Sequence, residues 1–145
     1  MKSLYTIGYE GKTIDEFLDM LKEHSIQCVI DVRERSVSRK KGFSKSALKQ
    51  FLNKNNIQYE HFRNLGSPKE VREHYHSTHD FPAFARQMNN HLNTQTGSLK
   101  NLFEIIRKKR CCLMCFETNA VQCHRILVAK KIDHLFPKQI TIKNV

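Results

Sequence analysis

The sequence predicts a single α/β domain, residues 1–145, with a mostly parallel sheet flanked by helices in three layers. Three observations predict it. Short apolar runs alternate with segments of helical periodicity. The run Cys111-Cys112-Leu113-Met114-Cys115-Phe116 is apolar without alternation, as in strands covered on both faces. Strand, helix and strand follow one another near the amino end within about 30 residues, the span of a βαβ unit. The length of 145 residues fits one domain with a sizeable core.

Leu4-Tyr5-Thr6-Ile7, ending at Gly8, reads as the first strand. Thr13-Ile14-Asp15-Glu16 is a capping box, and Ile14, Phe17, Leu18 and Leu21 then recur at helical spacing to about Glu23. Cys28 to Val32 is a second strand, apolar until Asp31. A long basic loop follows, with Arg33, Arg35, Arg39, Lys40 and Lys41. Ser44 should cap a helix with Ala47, Leu48, Phe51 and Leu52 on its apolar face, ended by Asn55-Asn56. Ile57 to Phe62 alternates apolar with polar, as in a half-exposed strand. Leu65-Gly66-Ser67-Pro68 turns the chain, with Pro68 placed to start a short helix.

Glu70 to Asp80 reads as helical pieces or a mobile lid. Its His74, His76 and His79 lack i, i+4 spacing throughout and are expected on a flexible surface segment. Phe81 to Leu92 fits a helix, and Gly97-Ser98 opens another with Leu99, Leu102, Phe103 and Ile106 on one face. The Cys111 strand comes next, then a helix from Cys123 to Leu135 stopped by Pro137. Gln139 to Ile142 is a last short strand.

The net charge of +11 implies acidic partners, a nucleotide or nucleic acid among them. No apolar run approaches the roughly 20 residues a bilayer requires, so no membrane partner is expected. The first residues are too short and too soon polar for a signal peptide, which leaves a cytoplasmic location as the expectation. Five cysteines, three in one strand, make a poor disulfide framework and point to reduced thiols.

In a parallel sheet the strand ends share one rim, where ligands bind. Gly8-Tyr9-Glu10, Asp31-Val32-Arg33 and Glu117 all follow strands, and a period of two puts Cys115 and Glu117 on one side. Cys123-His124-Arg125 opens the next helix, whose amino terminus favours anions. The expected catalytic residues are therefore Glu117 and Asp31 for acid-base work, with Cys115 or Cys123 beside the reacting atom. Arg33, Arg125, His124, Tyr9, Glu10 and Ser38 are expected to bind the anionic substrate. No metal is expected. Cys112 and Cys115 have zinc-knuckle spacing and Cys123-His124 could complete four ligands, but a knuckle needs a tight turn, and residues three apart in a strand point to opposite faces. No cofactor and no oligomeric state can be named.

Thr6-Ile7-Gly8-Tyr9, Ile30-Asp31-Val32-Arg33, Ser36-Val37-Ser38 with Phe43, Tyr59, Leu65-Gly66, and Leu113-Met114-Cys115-Phe116-Glu117 with Cys123-His124-Arg125 together resemble domain-of-unknown-function family 488. The resemblance runs in order along nearly the whole chain. It departs at Tyr9-Glu10, where the family usually has His-Ser, and at Val37, where it commonly has proline. The resemblance implies a small cytosolic α/β domain and brings no settled reaction with it. Asp31-Val32-Arg33 is also similar to a stretch of rhodanese domains, but the cysteine-led loop of that active site is not found.

Two functions follow. The first is an enzyme acting on a phosphate-bearing substrate, a nucleotide or nucleic acid, at the Cys/Glu/Arg rim. The alternative is a nucleic-acid-binding module without chemistry, using the basic loop and Lys100 to Arg110. A metal- or redox-dependent regulatory protein stands third.

Overall fold

The computed structural model describes residues 1–117 and 123–145. Among these residues the chain forms five strands and six α-helices. In order they are β1 (Lys2–Gly8), α1 (Ile14–Glu23), β2 (Cys28–Asp31), α2 (Lys45–Lys54), β3 (Gln58–His61), α3 (Lys69–Thr78), α4 (Phe81–Asn93), α5 (Thr96–Lys108), β4 (Cys111–Cys115), α6 (His124–Leu135) and β5 (Ile140–Asn144). A 3₁₀ turn, Arg63–Leu65, follows β3. The strands join in the order β3-β2-β4-β1-β5, and every pair is parallel. This is the α/β fold that the alternation of strand and helix patterns predicts.

The unbroken apolar run becomes β4 because β4 is the central strand. It lies between β1 and β2, and all five of its residues are buried. The period of two divides the core. Leu4, Ile30, Cys111 and Leu113 pack on one face with α4, α5 and α6. Tyr5, Ile7, Val29, Cys112 and Met114 pack on the other with α1, α2 and Phe43. Each fully buried leucine or isoleucine contributes on the order of 1.5–3 kcal/mol. β3 sits at an edge, which accounts for its alternating pattern.

The Thr13 capping box forms as expected, with Thr13 and Glu16 bonded reciprocally. Ser44 does precede α2, but its side chain does not cap that helix. Its hydroxyl instead accepts from Ser38 N (3.0 Å) and donates to Ser38 O (3.1 Å), pinning the basic loop. The stretch around His74 is a full helix, α3, with no buried residue. It ends at His79, whose φ of 55° is left-handed. Its polarity hid it, because no apolar face marks its period.

The rim continues the ladder beyond the strands. Tyr9 N donates to Cys115 O (3.1 Å), Glu10 N to Phe116 O (2.8 Å) and Val32 N to Met114 O (3.3 Å). Gly66 brings the 3₁₀ turn against the same rim. A Cβ there would stand 2.2 Å from Glu34 N, so no larger residue fits without moving backbone.

Candidate functional site

A hollow of about 880 Å³ opens at the carboxyl ends of β1, β2 and β4. Tyr9, Glu10, Arg33, Ser38, Glu117, Cys123 and His124 border it. Seven of the sequence-derived site residues thus meet in one place. Asp31, Cys115 and Arg125 stand behind that wall. All three are fully buried and none borders the hollow.

Behind one side of the wall is a closed ion-pair network. Asp31 Oδ1 accepts from Arg33 N (3.0 Å) and Nε (2.9 Å). Its Oδ2 accepts from Arg33 Nη2 (2.8 Å), Ser36 Oγ (3.1 Å) and Tyr59 OH (2.5 Å). Arg33 Nη1 donates to Phe43 O (2.7 Å) and Tyr9 OH (3.2 Å). Burial opposes the Asp31 charge, but the Arg33 hydrogen bonds and charge outweigh it and hold the carboxyl below the usual range. This saturation leaves Asp31 no exposed lone pair for a ligand. Arg33 touches the hollow while its guanidinium is held from behind.

The other side holds the thiols. Glu117 Oε2 lies 3.2 Å from Cys123 Sγ and 3.4 Å from Cys115 Sγ. His124 Nδ1 lies 3.9 Å from Cys123 Sγ. His124 Nε2 is 2.6 Å from Val32 O. A carbonyl can only accept, so Nε2 carries a proton, and Nδ1 faces the sulfur as acceptor when the ring is neutral and as donor when it is charged. Cys123 is the N-cap residue of α6, which places the thiol at a positive helix end. Arg125, the second residue of α6, donates from Nη1 to Cys115 Sγ (3.2 Å) and to the Glu117 carbonyl.

These neighbours shift the group in opposite directions. Burial works against a Cys123 thiolate, but the Cys115 hydrogen bond and the His124 charge outweigh it and lower the thiol. Burial, then Cys123, raises Cys115. Burial and the Cys123 charge raise Glu117, whose exposed residue turns its Oε2 inward onto both sulfurs. For His124, burial favours the neutral ring, yet the Cys123 and Glu117 charges raise it. Cys112, three residues before Cys115, faces the other core, where burial raises its thiol. It behaves as a small hydrophobe.

The hollow also has walls that the sequence reading did not select. Arg72, Tyr75 and His76 come from α3, Phe84 from α4, and Phe116 from the end of β4. Phe116 remains 46% exposed and meets Tyr9 edge to face at 5.4 Å. The available signal was aromatic: Tyr75 and Phe84 flank the polar stretch, and their rings stack at 4.8 Å. Arg72 pairs with Glu34 (2.8 Å) and is held in the wall. Arg35 and Arg39 are exposed at the edge and form no salt bridge among the described residues. The second basic segment of the binding-module reading, Lys100 to Arg110, lies elsewhere: Arg110 covers the Tyr5 ring at the amino end of β4.

No helix of the described residues is long and apolar enough to cross a membrane. No curated protein and no solved structure matches the chain. The family model "Domain of unknown function DUF488" matches residues 13–132 of the 145, and the chain belongs to that family.

Proposed function

We propose that this protein is an enzyme acting on a phosphate-bearing substrate, a nucleotide or nucleic acid, in the rim hollow. One observation carries the reading: the carboxylate, thiol and imidazole of Glu117, Cys123 and His124 border the same hollow as the exposed Arg35, Arg39 and Phe116. The two arginines suit phosphate oxygens. Phe116 offers a face on which a base can stack. Glu117 is the acid-base group, because it reaches the hollow and its neighbours raise its proton affinity. Asp31 and Arg125 act from behind, by fixing Arg33 and the Cys115–Glu117 segment.

A binding module without chemistry would use the charge but has no need of the acid, thiol and imidazole gathered together. The test is a panel of nucleotides and short oligonucleotides, scored for turnover and for binding. Glu117→Gln is expected to keep binding and to lower turnover by about 10²–10⁴-fold. Equal turnover in the variant, or no binding of any panel member at low salt, overturns the reading.

A further inference from the structure

We propose that Cys115, Glu117, Cys123 and His124 form a binding site for one divalent metal ion of borderline softness, zinc above all, with Glu117 as the exchangeable fourth ligand. The first support is geometric. One ligand atom from each of the four residues lies within 4.8 Å of all the others. Donors about 2.0–2.3 Å from a tetrahedral zinc ion stand roughly 3.3–3.8 Å from each other. The Glu117–Cys123, Glu117–Cys115 and Cys123–His124 separations of 3.2, 3.4 and 3.9 Å fall around that edge length. The remaining separations stay within 4.8 Å.

The second support is the orientation of the ring. A metal-bound histidine almost always donates its other N–H to a carboxylate or backbone carbonyl, which fixes the ring and its tautomer. His124 does this through Nε2 and Val32 O at 2.6 Å, leaving Nδ1 for the ion. The third is charge. Two thiolates and a carboxylate carry three negative charges in a buried place. A dication together with the Arg125 guanidinium, already bonded to Cys115 Sγ, carries three positive ones. The donor set, two sulfurs with an imidazole, suits zinc better than magnesium or calcium.

The spacing argument against a zinc knuckle concerned Cys112 with Cys115, and this site does not use Cys112. Cys115 is fully buried, Cys123 is 2% and His124 8% exposed, whereas Glu117 stands open to the hollow. The carboxylate is therefore the ligand that water or a substrate atom can displace. Three fixed protein ligands and one replaceable position are the arrangement of catalytic zinc sites.

The inference does not depend on the substrate proposed above, and its test separates the two. The full chain is purified without chelator or added metal and its metal content is measured by elemental mass spectrometry. About one zinc per chain is expected. Cobalt(II) added to metal-stripped protein should give the intense visible absorption of a tetrahedral ion and a thiolate charge-transfer band. Cys123→Ser should abolish both signals, and Cys112→Ala should keep them. The cobalt spectrum of the unaltered chain serves even if Cys123→Ser fails to fold. Absence of stoichiometric metal with a featureless cobalt spectrum overturns the proposal. So does a Cys115–Cys123 disulfide in protein prepared under reducing conditions. Bound zinc without nucleotide turnover upholds the site and removes the enzymatic reading. Turnover by protein that holds no metal and gives a featureless cobalt spectrum does the reverse.

Discussion

Two buried arginines stand at the same rim, and their surroundings differ. Arg33 faces Asp31 in a network where both carboxylate oxygens are saturated by N–H and O–H donors. Arg125 faces two sulfurs and the Glu117 segment, where atoms able to carry negative charge outnumber the cation beside them. The first network is complete without a visitor and serves as scaffold. The second, among the described residues, gathers two thiols and a carboxylate beside one guanidinium, and the proposed metal site rests on that arrangement. Burial of charge alone does not mark a working site; the mismatch between donors and acceptors does.

The sharpest way to break this contrast is Asp31→Asn. It leaves the Arg33 guanidinium buried against a neutral partner, and a loss of about 3–5 kcal/mol is expected in urea unfolding. Acid should do the same reversibly. The folded Asp31 carboxyl titrates below its unfolded value, so its stabilisation is present at neutral pH and is lost as pH falls through the folded value. Glu34, lowered by Arg72 and Arg63, acts in the same sense. The urea midpoint should therefore fall below about pH 4 and fall less steeply in Asp31→Asn.

Smaller effects sharpen the other half. Phe116→Ala should weaken a bound nucleotide by about 1–3 kcal/mol, with little change in unfolding, because the ring is half exposed. Arg35→Ala or Arg39→Ala should each reduce the slope of log affinity against log salt by roughly one for a nucleic-acid ligand. A salt slope unchanged in both variants would place the ligand away from this edge.

Much of this was legible in the residues. β4 was visible because five consecutive buried positions leave no room for alternation, and the Cys115–Glu117 pairing followed from the strand period alone. The gathering of Arg33, Glu117, Cys123 and His124 at one hollow followed from parallel topology. Two things were not legible. Whether Asp31 and Arg125 face the hollow or the interior is a rotamer question, decided by Tyr59, Ser36 and Cys115 across the sheet. The α3 wall was hidden because a helix with no buried residue leaves no periodic trace.

The position of β4 has a kinetic consequence. It lies between β1 and β2, so Leu4 meets Cys111 and Cys28 meets the same Cys111 from the other side. A ribosome making this chain releases β1, α1, β2, α2 and β3 long before the strand that joins them. Those early strands must wait with a gap in the middle, and such distant pairings fold slowly. Insertion of the thiol strand is then the event that joins the two halves of the sheet and brings the ends of β1 and β2 together, so a chain short of that step has no rim on which α6 can seat Cys123 and His124.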